Sequence, residues 1–252
     1  MSTYNLHYNY CRSNYKENGP SVYNLTVDTN LITTNKFIPI IADKVKNKID
    51  NMEGCFEDDH AYRLNEWHDI EEIGHYADKV MPLIEKEIFS SHLKVEFVQP
   101  YRNKIGGKEA TSWLWHYDDC PQEFIKLFLY LNEVTPTSGC LEYLDKKIHT
   151  NRVSPFYNVG GQVYPRSRVP PAEIRMFLDD GLEINQLVGP PGTAAVFTPN
   201  IVHRATIPEE GSTERDAIVF FLRPSLAKQN KYITEDTYSY LPERNVKQYE
   251  LN

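Results

Sequence analysis

Cysteine is scarce in this chain, and the few present follow no metal-binding or cross-linking pattern. Cys11, Cys55, Cys120 and Cys140 form no Cys-x-x-Cys pair and no zinc-ribbon spacing. Neither a structural zinc nor a disulfide framework is therefore expected, and reduced thiols in a cytoplasmic protein are the simplest reading. Long apolar runs are missing too. Nothing approaches the roughly 20 residues that cross a bilayer. Residues 1–10 are polar and rich in Tyr and Asn, without the basic start and apolar stretch of a signal peptide. Runs of Lys and Arg are also absent, and the formal net charge is −8. Proteins that grip phosphate backbones usually show a basic face, so neither nucleic acid nor a membrane is an expected partner. No internal repeat or low-complexity block is found.

What is present suits one globular domain of 252 residues, 40% hydrophobic and 25% charged. A first helix is expected after Asn35 as cap, with Ile40, Ile41, Val45 and Ile49 on one face. A second is expected from about Glu66 to about Ser90, where Trp67, Ile70, Ile73, Ala77, Val80, Ile84 and Ile88 recur at helical spacing. Pro82 should kink it. The texture then changes to strands: Leu93 to Gln99, Phe124 to Leu131, Cys140 to Leu144, Thr193 to Phe197, and Asp216 to Leu222, ended by Pro224. Residues 146–181 are rich in Pro and Gly and read as a long loop, a candidate lid, with a short helix starting near Pro170 or Pro171. The layout is mainly β with flanking helices (α+β): helical support over 1–92, a strand-rich core over 93–224 interrupted by the lid, and a C-terminal extension over 225–252. An antiparallel barrel or sandwich braced by helices would accommodate it.

The string Trp113-Leu114-Trp115-His116-Tyr117-Asp118 carries the chemistry. In an extended segment the side-chain period is two, so His116 and Asp118 point to one side and can reach one ion. His203 is the candidate third ligand, expected in a loop just after an apolar strand. Two imidazoles and one carboxylate leave three coordination positions open. That is the facial triad of non-haem Fe(II) oxygenases, in which a chelating co-substrate and O2 share the metal. Closed four-ligand zinc sites cannot do this. Arg215, at the start of a strand, could pair bidentately with a carboxylate, or with its neighbours Glu214 or Asp216 at the surface.

In this order, His116-Tyr117-Asp118, a strand, Ser138-Gly139-Cys140-Leu141, Gly192 to Phe197, His203 and Arg215 resemble the phytanoyl-CoA dioxygenase-like branch of the Fe(II)/2-oxoglutarate dioxygenases. The resemblance covers about residues 93–224. It implies a double-stranded β-helix (jelly-roll) barrel, with Fe(II), 2-oxoglutarate and O2 as cofactor and co-substrates. The implied reaction hydroxylates an unactivated C–H of a small molecule, such as an amino acid or biosynthetic intermediate, with release of succinate and CO2. It also implies Arg215 as the partner of the distal carboxylate of 2-oxoglutarate. Gln99, Tyr101 and Arg102 match the family's polar positions upstream of His-x-Asp, and Trp113 stands where an aromatic wall is common. The chain departs from the family at Leu144-Asp145-Lys146-Lys147 and at Pro208 to Thr213.

Other residues admit two readings. Trp113 and Trp115 are core or co-substrate contacts, on the same side by alternation. Tyr130 and Lys126 share a strand face that could point into the barrel; Tyr130 is a candidate co-substrate contact or a packed core tyrosine. Arg166, Arg168 and Arg175 are solvated charge, or a cluster that recognises a substrate carboxylate or phosphate, which would make the small-molecule partner anionic. The remaining histidines take a structural role. The main alternative function is a cupin-type metalloenzyme that keeps the ligands but makes no use of 2-oxoglutarate or of Arg215. Both a monomer and a homodimer stay open.

Overall fold

A computed structural model of the chain describes residues 22–24, 36–89, 92–106, 111–118, 125–147, 168–198, 201–225 and 227–239. Asn35, Phe124, Arg166 and most of the proposed lid lie outside them.

Among the described residues, ten strands and three α-helices make an α+β arrangement of two antiparallel sheets. The larger sheet contains β1 (Val22–Asn24), β2 (Cys55–Glu57), β3 (Ala61–Leu64), β4 (Leu93–Asn103), β5 (Ile125–Tyr130), β8 (Ala194–Phe197) and β10 (Asp216–Pro224), in the order β1-β8-β5-β10-β4-β3-β2. The smaller has the order β7-β6-β9, from β7 (Ile184–Leu187), β6 (Leu141–Lys147) and β9 (Ile201–Ala205). The two sheets face each other, and among the described residues no strand closes one onto the other.

Parity along the central strands sorts the core. Leu127, Leu129, Val196, Ile218, Phe220 and Leu222 face helices α1 (Phe37–Asp50) and α2 (Glu71–Ile84). Phe128, Tyr130, Ala195, Phe197, Ala217 and Val219 face the small sheet, meeting Leu141, Leu187 and Ile201. β5 is buried at all six positions, as a strand covered on both faces must be. The outer face of the small sheet carries Leu144 and Val202 and packs on Ile174 of helix α3 (Pro171–Asp179), which begins at the expected proline.

The helices differ from expectation in instructive ways. α1 buries Ile38, Ile41, Val45 and Ile49, while Ile40 is 43% exposed; the true stripe runs through Ile38. α2 starts at Glu71, not Glu66, because the backbone NH groups of Asn65 and Glu66 donate to the Gly54 carbonyl, holding that segment in a turn. Trp67 and Ile70 are buried nonetheless, so helical periodicity extends past the helix itself. Pro82 lies inside α2, and a π-helical turn at Glu85–Phe89 follows it.

β4 and β10 run longer than expected, and β1, β2, β3, β7 and β9 are additional strands. Residues 227–239 pack against the body. The Val98 NH donates to the Tyr238 carbonyl, the Tyr238 NH to Glu96, and the Tyr232 NH to the Asp78 carboxylate. This covers the part of β4 that β3 leaves unpaired, which blunts an exposed strand edge. No helix among the described residues is long and apolar enough to cross a membrane.

Phe220 is fully buried and stacks on Tyr76 of α2, with ring centroids 5.9 Å apart. Phe220→Ala should cost about 3–5 kcal/mol, read as a lower urea midpoint at unchanged slope. A loss below about 1 kcal/mol would mean that the sheet–helix interface does not hold the fold.

Candidate metal centre

His116 follows a 3-10 turn at Thr111–Trp113 and enters the small sheet as one bridge residue. Its NH donates to the His203 carbonyl at 3.0 Å, and the His203 NH donates back at 2.8 Å. His203 thus lies inside strand β9, not in the loop the sequence suggested. Its neighbour on the other side is Tyr143 of β6. On the far side of His116 the ladder continues to Arg168, and the Val169 NH donates to the Trp115 carbonyl at 2.9 Å.

The two imidazoles are held alike. Nδ1 of His116 lies 2.8 Å from the Leu114 carbonyl, and Nδ1 of His203 lies 2.9 Å from the Ile201 carbonyl. A carbonyl can only accept, so each Nδ1 carries the proton and each Nε2 presents a lone pair. Hydrogen bonds of this kind fix the tautomer of metal-binding histidines. The rings are 4.4 Å apart. An oxygen of Asp118 lies 3.6 Å from His203 Nε2. One donor atom from each of the three residues falls within 4.8 Å of the others, a set one ion could bridge.

Protonation states suit a metal. Burial, with His203 beside it, lowers the His116 pKa to about 3. Burial likewise lowers that of His203, against the opposing pull of Asp118. Burial alone would raise Asp118, but the Lys126 ammonium and the two imidazoles overcome it and hold the carboxyl at about 2. Near neutral pH the site offers two neutral imidazoles and one carboxylate.

A row of aromatic rings leads away from the triad along the inner face of the large sheet. Phe197 is 5.4 Å from the His203 ring, and Phe128 is 6.4 Å from Phe197. The Arg215 guanidinium lies 5.3 Å from the Phe128 ring and 5.5 and 5.9 Å from those of Tyr101 and Tyr130. Arg215 is 1% exposed. It donates to the Gly139 carbonyl and to the Tyr101 hydroxyl, and its Nε has no hydrogen-bond partner among the described residues. A fully buried guanidinium with a spare donor is costly unless something anionic completes it.

The other sequence candidates separate by parity. Arg102 faces the opposite side of the sheet, where Asp216 takes it bidentately at 2.6 and 2.8 Å and Asp50 takes its third nitrogen. It is therefore turned away from a co-substrate, and Asp216 is claimed by Arg102, not by Arg215. Gln99 is buried on the inner face, but its amide donates to the Leu64 and Pro100 carbonyls. The Tyr130 hydroxyl is spent between the sheets, donating to the Leu187 carbonyl at 2.9 Å and accepting from the Leu141 NH at 3.0 Å; only its ring borders Arg215. Trp113 packs against His60, whereas Trp115 lies in the outer cluster under the Arg204 guanidinium. They do not share a side, because the 3-10 turn breaks the alternation before Trp115. Arg204 pairs with Glu142 on the same outer face. Lys126 points inward and pairs with Asp118.

No family model and no curated protein matches the sequence. Solved structures share its fold. The epimerase SnoN in complex with Fe3+, alpha ketoglutarate and nogalamycin RO has a TM-score of 0.55 at 9% identity, over 92% of this chain and 97% of that one. EctD from S. alaskensis in its apoform has 0.55 at 12% identity, over 86% and 78%. AviO1 from Streptomyces viridochromogenes Tue57 has 0.50 at 16% identity, over 83% and 92%. At such identities the likeness is one of fold.

The depressed histidine pKa values set a pH dependence for the metal-free protein. Below pH 6.5 the unfolded chain takes up protons on histidine that His116 refuses until about pH 3. Stability should thus be full above about pH 6.5 and fall with pH through that window. The share owed to Asp118 is lost later, below 3.8 and towards about 2. Urea unfolding from neutral pH downwards checks this, and a profile flat down to about pH 4 contradicts it.

Proposed function

We propose that this chain is an Fe(II)- and 2-oxoglutarate-dependent oxygenase of a small molecule, with a single jelly-roll (double-stranded β-helix) domain. One observation carries the reading. An aromatic row joins a triad of two tautomer-fixed imidazoles and a carboxylate to a buried arginine that lacks a carboxylate partner among the described residues. A triad alone fits many metalloenzymes. A triad with an orphaned guanidinium at the other end of the same aromatic row fits a ligand that chelates metal at one end and carries a second carboxylate at the other.

In this reading His116 and His203 offer Nε2, and Asp118 its carboxylate, on one side of the ion. When bound, iron with 2-oxoglutarate and O2 supplies the oxidising power to take hydrogen from an unactivated carbon, with release of succinate and CO2. The protein does the rest. Arg215 would complete its hydrogen bonds on the distal carboxylate, with the Gly139 carbonyl and the Tyr101 hydroxyl anchoring the guanidinium. Phe128 and Phe197 keep water from the path between, where each charge contact gains strength. Arg168, next to His116 in the ladder, adds positive potential at His203, which would suit an anionic substrate. SnoN, with its iron and alpha ketoglutarate, supports the class through fold. Hydroxylation is the finer assignment, as is the phytanoyl-CoA dioxygenase-like branch. A cupin-type metalloenzyme without 2-oxoglutarate would leave Arg215 buried with no purpose.

Anaerobic Fe(II) with 2-oxoglutarate should give a weak visible charge-transfer band. Arg215→Ala should retain iron but need at least about tenfold more 2-oxoglutarate to reach the same band, the cost of losing one buried charge-assisted pair. A parent protein that binds iron yet shows no band would favour the cupin-type alternative.

A further inference from the structure

Lys126 is the one feature of the centre that the proposed function does not use. It is the second residue of β5, 9% exposed, with a phenylalanine beside it on each neighbouring strand: Phe197 across from β8 and Phe221 across from β10. Both rings flank its ammonium, at 5.8 and 4.7 Å. Its only carboxylate partner among the described residues is Asp118. The oxygen it meets is Oδ2, the same oxygen that lies 3.6 Å from His203 Nε2.

This arrangement is unusual for a lysine that merely supports a ligand. A supporting donor would sit on the far oxygen and leave the near one for the ion. Here the ammonium meets the oxygen that lies 3.6 Å from His203 Nε2. A metal reaching Asp118 on that side meets a positive charge already in contact with it, in an apolar sleeve that screens little. A dication and an ammonium drawn to the same oxygen repel each other across a short distance, so each weakens the other's hold on it.

Resting on the metal-binding reading above, we propose that Lys126 is an internal competitor for Asp118: it neutralises the carboxylate in the metal-free protein, and metal must displace it to load. The buried carboxylate is then never left without a counter-ion, and the metal-free site stays folded. The same competition selects for charge and ligand number. A monovalent ion offers no more charge than the ammonium it would replace. A divalent ion brings twice the charge and bonds to both imidazoles as well.

Competition and support predict opposite signs, which makes the test decisive. Protein stripped of metal is titrated with Co(II) by calorimetry, comparing the parent with Lys126→Met and Lys126→Gln. The polar Gln variant serves if Met at this position impairs folding. Competition predicts at least tenfold tighter Co(II) binding in the variants, together with a lower melting temperature before metal is added, since Asp118 has lost its partner. Unchanged or weaker Co(II) binding in folded variants overturns the proposal and leaves the proposed function standing. Failure of the parent itself to bind Co(II) would instead remove the metal centre, and this inference with it.

Discussion

His116 and His203 exchange both backbone hydrogen bonds, and directly opposed residues of an antiparallel pair send their side chains to the same face. With that register, both imidazoles turn inward, and the period of two brings Asp118 in beside them. A slip of one residue by the His116 segment would send His116 and Asp118 outward and bring Trp115 and Tyr117 inward in their place, while His203, held by β6, stayed where it is. What resists the slip is on the other face. Gln186 donates to Glu142 at 2.9 Å, Arg204 pairs with Glu142 at 2.8 Å, and the Arg204 guanidinium lies 4.7 Å from the Trp115 ring. One contact per step thus crosses β7, β6, β9 and the segment before His116. Each is weak alone at a half-exposed site, but only one register allows all of them together.

The same parity explains how a buried arginine stays uncompensated beside two acidic residues. Asp216 pairs in register with Arg102, both on the helix side of the sheet. Arg215, one position earlier, faces the aromatic cleft. Sequence proximity therefore works against neutralisation: the nearest carboxylate is on the wrong side of a strand. Glu214 lies near Arg102 as well, 3.8 Å away. Tyr101 separates from Arg102 in the same manner on β4, which is why the hydroxyl reaches Arg215 and the guanidinium next to it does not.

This also fixes how much the sequence could disclose. The His116–Asp118 pair, the distal His203 and Arg215 were legible because each rests on a short-range rule, side-chain alternation or residue chemistry, that tertiary contacts left intact. The central strands were legible through their apolar runs. Arg102 was misjudged because register across strands decides which of two adjacent polar residues faces inward, and one strand read alone does not contain that information. His203 was placed in a loop because β9 is flanked by Pro199-Asn200 and Pro208, which hide a five-residue strand. The start of α2 differs for another reason: Trp67 and Ile70 are buried at helical spacing, yet the Ile70 NH donates to the Trp67 carbonyl in a turn that precedes the helix. Periodicity reports burial, and burial was correct there; the local conformation was not. Gly139 enters the sequence reading only within the string Ser138-Gly139-Cys140-Leu141, while its carbonyl holds Arg215.

Charge and apolar surface meet in this cleft in an order that simple core packing would not select. Lys126, Phe128 and Tyr130 alternate along the inner face of β5, with Asp118 near one end and Arg215 near the other. Filling that space with aliphatic side chains would avoid the desolvation of two cations. The aromatic faces recover part of that cost, since a cation near a ring is attracted to it. They do not satisfy the N–H donors, and Arg215 keeps one of them without a partner among the described residues. The low polarity around Phe128 and Phe197 therefore acts in two directions: it makes the unliganded cleft less stable than an apolar one, and it strengthens any contact with an anion that enters. A fold selected for stability alone would have removed the first effect, whereas a fold that must recognise a charged, two-ended ligand cannot have the second effect without it.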